Sequence, residues 1–367
     1  MWATEAFDQV LLPNQKVLIR RHDPSAMQGQ VTELAPSQPV TSRALPSHMG
    51  FWAAVRHHCA RQHAAALQVT FGSAITMSDR FLLYIDILGF SEMTDREPGK
   101  VARTYAILDS LNVHQHNVFK TIVFSDTVLV YNPQPAKSNK EREYLVWYLT
   151  EFAEDLHHRL TGQDIFFRAI LTAGDFSHYT LENIECFFGR ALISAYSREK
   201  NIPSIGLFMD KNCLKYNRFF RLEPFDSDTS FVHLNRSIES LTECTGDQYP
   251  FHDRAIEDQA PYLPWQARHL RDVYTNMRTH KSPAVRAKFL TAWDFYSRRY
   301  PGLTRALVDG GFQVSVLGGV GAWSETVKAM ELSIRHYRSS GNKTGLSQQI
   351  SLRTPKSRKR KRSTEDA

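Results

Sequence analysis

Two short apolar runs, each interrupted by one acid, constrain this chain more than any other feature. The first is Phe81-Leu82-Leu83-Tyr84-Ile85-Asp86-Ile87-Leu88-Gly89-Phe90, and the second is Thr121-Ile122-Val123-Phe124-Ser125-Asp126-Thr127-Val128-Leu129-Val130-Tyr131. Both are rich in β-branched and aromatic residues and predict strands buried on at least one face. An isolated buried carboxylate would take up a proton rather than stay charged. Two of them, one per strand, call for a shared partner. A hard divalent cation such as Mg²⁺ or Mn²⁺ suits carboxylate oxygens best.

With 367 residues and 42% apolar content, the chain can build one large core or two modest ones. Its formal charge of +7 is local, because Lys356, Arg358, Lys359, Arg360, Lys361 and Arg362 supply most of it. The remaining body is near neutral and carries no nucleic-acid footprint. Cys59, Cys186, Cys213 and Cys244 lack CxxC spacing, which argues against a zinc ribbon or a disulfide framework and fits free thiols. No apolar run approaches the roughly 20 residues of a membrane helix, and the N-terminus lacks a signal-peptide pattern. The expectation is a cytoplasmic protein with no membrane partner.

Residues 1–77 place Pro24, Pro36, Pro39 and Pro46 among Ser, Gln and Thr and are expected to be a disordered extension. His57-His58-Cys59 and His63 lack structural zinc spacing and read as part of a His-rich, loosely amphipathic helix. Met77, directly before the first strand, is a candidate translation start. Residues 78–235 alternate as an α+β domain does: strand 81–88, a helix within 101–119, strand 121–131, helix 144–160, strand 165–172 broken at Gly174, a strand-to-helix passage at 187–196, and strand 205–209. That order fits a ferredoxin-like split βαβ sheet. Residues 236–300 read as a helical appendage, with Trp265, Leu270, Val273, Tyr274 and Met277 on one face and Val285, Phe289, Trp293 and Tyr296 on another. Residues 301–367 are expected to be irregular. Gly318-Gly319-Val320-Gly321 has no Lys-Ser or Lys-Thr pair directly behind it and is expected to have no helix start there, so it reads as a poor phosphate loop, and 355–367 is a solvated basic tail.

Asp86 is placed mid-strand and Asp126 near the centre of its own strand. If the two strands pair, both carboxylates can face one side and hold two cations about 3.5–4 Å apart, the arrangement that clamps the attacking and leaving oxygens in phosphoryl transfer. The plain alternative makes Asp86 a cap for the turn at Gly89 and Asp126 the start of an Asx turn. The apolar residues directly preceding Asp86 speak against a turn there.

Tyr84-Ile85-Asp86-Ile87-Leu88-Gly89-Phe90-Ser91 resembles the F-x-D-I-x-G-F-[ST] signature of class III nucleotidyl cyclases. Asp126 stands forty residues after Asp86, where that family keeps its second metal aspartate. Residues 168–174 resemble the family's R-x-G-[IL]-x-x-G strand, with Ala169 and Ile170 departing from it, and 189–198 resemble its G-x-x-V-N-x-A-x-R helix start. The resemblance covers residues 80–210, under half of the chain. It implies a palm-type fold and a homodimer with sites at the interface. It also implies two Mn²⁺ or Mg²⁺ ions held by Asp86, the Ile87 carbonyl and Asp126, with the Gly89-Phe90-Ser91 turn offering amides to a triphosphate.

The departures narrow the substrate. Lys120 occupies the base-contacting lysine position of purine cyclases, but Cys186 stands where adenylyl cyclases keep an acid for adenine. Ile193 replaces the transition-state asparagine, Ser197 the arginine (with Arg198 one residue late), and Ser125 the usual glycine before Asp126. The string Gly189-Arg190-Ala191-Leu192-Ile193-Ser194-Ala195-Tyr196, followed by Glu199, is more similar to the bacterial pyrimidine cyclases of Pycsar anti-phage systems. That resemblance implies cyclic UMP or cyclic CMP made from UTP or CTP, with UTP favoured, and a product that activates a cell-killing effector.

In such a reaction the ribose 3′-hydroxyl attacks the α-phosphorus and pyrophosphate leaves in line. Positive donors stabilise the charge on the α-phosphoryl oxygens, and Lys120, Arg168 and Arg198 are the candidates. Tyr196 is a candidate to stack on or hydrogen-bond the base. Each has a plainer reading: a strand edge for Lys120, an ion pair with an acid such as Asp175 for Arg168, a solvated helix position for Arg198, core packing for Tyr196. Two other functions compete with the enzyme. One is a catalytically inactive cyclase-fold module that senses a nucleotide; the other is a nucleic-acid-binding protein that uses the basic tail.

Overall fold

The computed structural model describes residues 78–340, apart from 247–248, 253–255, 257–258, 260 and 320–322. The His57-to-His63 group, Met77 and the basic tail lie outside the described residues. Strand β1 (Ser78–Ile87) leads into helices α1 (Phe90–Arg96) and α2 (Pro98–Asp109). Then come β2 (Lys120–Phe124), β3 (Thr127–Tyr131), α3 (Asn139–Leu160), β4 (Phe167–Thr180), β5 (Glu185–Phe188), α4 (Arg190–Asn201) and β6 (Gly206–Asp210). A single helical turn, α5 (Lys211–Leu214), precedes the hairpin β7 (Arg221–Pro224) and β8 (Thr229–His233). Helices α6 (Arg236–Thr245), α7 (Leu263–Thr279), α8 (Pro283–Arg299), α9 (Pro301–Asp309) and α10 (Trp323–Ser340) follow.

The strands form one mixed sheet in the order β2-β3-β1-β4-β6-β8-β7, with β5 paired to the far half of β4. β1 runs antiparallel to both β3 and β4, while β4 and β6 are parallel. This is the α+β architecture that the alternation of patterns predicts, followed by the expected helical segment.

Side-chain alternation sorts each strand onto two faces. Phe81, Leu83, Ile85, Ile87, Val128, Val130, Ala169 and Leu171 pack on one face against Leu145, Leu149 and Phe152 of α3. Leu82, Tyr84, Leu129, Ile170 and Phe208 pack on the other against Ala191 and Ala195 of α4 and against Leu270, Ala292 and Phe295 of the later helices. Burial on both sides is why the strands read as almost continuous apolar runs.

The structure corrects four expectations. Residues 121–131 are not one strand but a hairpin that folds back at Ser125-Asp126; a two-residue turn inside an apolar run leaves the run's composition almost unchanged. The third strand is not broken at Gly174. It continues to Thr180, and Gly174 lies against Ala191, where a Cβ would come within 3.6 Å of the alanine methyl. The helix expected within 101–119 ends at Asp109, with a 3₁₀ turn at Asn112–Gln115. The described part of 301–340 is not irregular, because Leu303, Leu307, Leu317 and Trp323 are buried and hold α9, a 3₁₀ turn (Val314–Leu317) and α10 in place. Gly318 accepts the Trp323 indole N–H through its carbonyl, so the described part of the glycine cluster serves packing.

Candidate functional site

Asp86 is the penultimate residue of β1, opposite Thr127 on β3 and Arg168 on β4. Alternation turns its side chain to the face that α4 and α8 cover, and it remains 22% exposed. Asp126 is the second residue of the β2–β3 turn rather than a mid-strand residue. Had the strand continued through it, Asp126 would stand opposite Ile87 and face away from Asp86. The turn frees it from that alternation. Ser125 takes a left-handed φ of 56°, and the Asp126 carbonyl accepts the Ile87 N–H at 2.9 Å. Tyr105 donates its hydroxyl to the Ser125 carbonyl at 3.1 Å and pins the turn to α2.

The two carboxylates oppose each other. Burial raises the Asp86 carboxyl above its usual pKa; Arg168 counteracts that shift, Asp126 adds to it, and Lys288 of α8 counteracts it again. A hard divalent ion relieves such a pair. Among the described residues no group of three or more His, Cys, Asp or Glu could hold a metal. The chemistry of the two carboxylates fits an ion that takes one or two protein carboxylates and completes its shell with water and phosphate oxygens, as Mg²⁺ does.

Arg168 does not pair with Asp175, which Arg190 engages instead. Its Nη1 donates to the Ile202 carbonyl at 2.6 Å, and its Nη2 lies 3.5 Å from Asp86 and pairs with Glu199, which is 4% exposed. The guanidinium thus braces Asp86 from a buried position rather than projecting as a free cation. Glu199 was not assigned a role from sequence. The signal was there: Ala191, Ala195 and Glu199 fall four apart on the inward stripe of α4.

The turn after β1 is built by Gly89 at φ 71°, which precedes α1 and provides no side-chain cap. The first amides of α1 are therefore left without a side-chain acceptor. The Phe90 ring is buried against Tyr105 at 5.9 Å, so only its backbone can meet a ligand, while Ser91 is exposed. Tyr196 is not core either. It is 48% exposed, its ring meets that of Tyr84 edge-on at 6.4 Å, and Lys200 lies over it at 3.9 Å.

Lys120 and Arg198 are not brought to the acids. Lys120 is exposed on the edge strand β2, opposite Tyr131 in the row of Leu82, four residues or about 13 Å along the strands from Asp86. Arg198 is no freely solvated helix residue. It pairs with Asp210, which is 1% exposed and needs a counter-ion, and it lines a separate cleft with Asn201, Phe225, Asp226 and Asp228.

No family model matches this chain, and no curated protein matches it. Among solved structures it is similar to the monomeric guanylyl cyclase domain of a rhodopsin–guanylyl cyclase fusion from the aquatic fungus Blastocladiella emersonii, with 16% identity over 42% of this chain and 95% of that one and a TM-score of 0.35. The adenylyl cyclase CyaB from P. aeruginosa is 11% identical over 42% of this chain and 93% of its own, with a TM-score of 0.32. A class III adenylyl cyclase-like ATP-binding protein from Pseudomonas aeruginosa is 16% identical over 44% and 40% of the two chains, with a TM-score of 0.34. No helix among the described residues is long and apolar enough to cross a membrane.

Proposed function

We propose that this chain is a nucleotidyl cyclase that closes a pyrimidine nucleoside triphosphate, UTP in preference to CTP, to its 3′,5′-cyclic monophosphate with release of pyrophosphate. One observation carries the reading: Asp86 at a strand end and Asp126 in the adjoining turn, tied through the Ile87 amide, stand beside an uncapped Gly89-Phe90-Ser91 turn. Asp86 and Asp126, with the Ile87 carbonyl, would hold two Mg²⁺ or Mn²⁺ ions. When bound, such ions supply Lewis acidity toward the 3′-hydroxyl and neutralise the phosphate charge. The chain's own work is to position: Arg168, locked by Glu199, fixes the Asp86 carboxylate, and the amides of residues 89–91 bind phosphate oxygens. Tyr196, open beside Tyr84, offers a face for the base.

In the proposed homodimer Lys120 reaches this site from a second protomer, while Arg198 stays committed to Asp210. The lack of an acid at Cys186 supports a pyrimidine, and the cyclic product fits a second messenger for a cell-killing effector. Incubation with each of the four nucleoside triphosphates and Mn²⁺, with mass spectrometry of products, tests the proposal. Cyclic UMP is expected, and Asp86→Asn and Asp126→Asn should each lose roughly 10²–10³-fold or more in rate with unchanged circular dichroism. Full activity in either variant refutes the metal assignment. Ile193, 66% exposed where the family carries its asparagine, favours the second reading, a nucleotide-sensing module; binding without turnover of any triphosphate would select it.

A further inference from the structure

Helix α8 carries a lysine where its packing pattern calls for an apolar residue. Phe289, Ala292, Phe295 and Tyr296 are its buried residues, and Val285 packs beside them. Lys288 lies three residues after Val285 and four before Ala292, so it falls within that inward stripe. The helix lies on the sheet in a defined way. Phe295 stacks on Phe231 of β8 at 4.3 Å, and Phe289 meets Phe166 edge-on at 4.8 Å. The Phe166 carbonyl accepts the Leu88 N–H at 2.9 Å, two residues beyond Asp86. Just before α8, Lys281 pairs with Glu92 in the first turn of α1.

The first half of α8 therefore lies across the end of β1 and the turn that follows it. Lys288 is half-buried there, and the charged groups that act on it are Arg168 and Asp86. Arg168 already has Glu199 as its buried counter-ion. With Arg168 committed to Glu199, Lys288 is the cation left to balance Asp86 in the protein alone. A lysine stem laid on apolar surface leaves its ammonium free to swing by a few ångströms.

We propose that Lys288 is a phosphate-binding residue of this site, contributed by the C-terminal helices, which neutralises Asp86 in the protein alone and binds the triphosphate once that carboxylate is engaged by a metal-bound nucleotide. The proposal rests on the metal–triphosphate reading above. An ammonium is a compact point charge that binds phosphate oxygens without the fork geometry an arginine would need. It would make the helical segment part of the site rather than an accessory to it.

The test uses the full chain and inorganic tripolyphosphate as the probe, titrated calorimetrically in the presence of Mn²⁺ into the wild type, Lys288→Met, Lys288→Gln, Lys288→Arg and Asp86→Asn. Lys288→Met keeps the stem in the apolar stripe and guards against a folding defect in Lys288→Gln. Both neutral variants should bind about tenfold more weakly, with Lys288→Arg retaining most of the affinity. Wild-type affinity in both neutral variants overturns the assignment of Lys288, and so does an equal loss in Lys288→Arg. If binding also falls in Asp86→Asn, the metal–triphosphate reading stands whichever way Lys288 falls. A wild type that binds no Mn²⁺–tripolyphosphate overturns both.

Discussion

Ser125 holds φ at 56°, a left-handed conformation that costs a residue with a Cβ about 1–2 kcal/mol. Glycine adopts it freely, and Ser125→Gly is expected to stabilise the hairpin by up to about 1 kcal/mol, read as a higher urea midpoint at unchanged slope. Asp86 is costly in another way. Its carboxyl is raised above the unfolded 3.8, chiefly by burial, so the stability it contributes is present below that value and lost as pH rises through the folded value. At neutral pH the ionised Asp86 therefore destabilises the protein without metal. Asp86→Asn should raise the apo Tm at pH 7, and the difference should shrink as the pH falls toward 4. Mn²⁺ should raise the Tm of the wild type alone, and an Asp86→Asn variant with a lower apo Tm would sink this account. The two acids were legible because each interrupts an apolar run. The backbone that frees Asp126 from the strand alternation was not, since a serine gives no glycine-like warning of a left-handed turn.

Helices α3 and α7 meet through histidines. The rings of His157 and His269 lie 4.1 Å apart, His158 packs on Trp265 at 4.2 Å, and the Tyr296 hydroxyl is 3.4 Å from His269 Nε2. Burial pushes His157 down to about 3 and His158 to about 4, Asp155 partly opposing the latter, and it lowers His269 well below its ordinary value. The sign is that of groups buried neutral: their stability is present above 6.5 and lost as pH falls toward the folded values. Below 6.5 each should cost about 1.4 kcal/mol per pH unit. His157→Leu should therefore flatten the fall of urea-unfolding stability between pH 6.5 and 5 by about that amount per unit; an unchanged slope refutes the assignment. This junction was invisible in the sequence. The periodicity of 144–160 and of Leu270 and Val273 predicted both helices, but periodicity does not name the partner of a face.

At the scale of the molecule, the sheet has one face covered by helices inside 78–235 and the other shared between α4 and helices from beyond it. Phe208 and Phe231 are fully buried, and they meet Phe295 of α8 at 6.2 and 4.3 Å. His233 of β8 lies 5.6 Å from the Tyr300 ring, and Glu239 of α6 accepts the Tyr300 hydroxyl at 2.7 Å. Even α10 is tied back, with the Ile334 carbonyl accepting Gln163 at 3.1 Å and Arg338 donating to the Gly162 carbonyl at 2.6 Å. The sequence marked 78–235 as a domain because strands and helices alternate there. It could not show that β6 and β8 keep two apolar faces, one of which only a later segment can cover. A chain ending at residue 235 would leave several large aromatic side chains in water, each costing about 1.5–3 kcal/mol of lost burial. Summed over Phe208, Phe231 and the neighbouring apolar residues of that face, the loss is comparable with the roughly 5–15 kcal/mol by which a typical domain is stable. The truncated chain should aggregate or expose an 8-anilinonaphthalene-1-sulfonate-binding surface, whereas a chain spanning 78–340 should unfold cooperatively. A soluble, cooperatively folded chain ending at residue 235 would show that the helices are a separable addition, and would remove the structural basis for assigning Lys288 to the site.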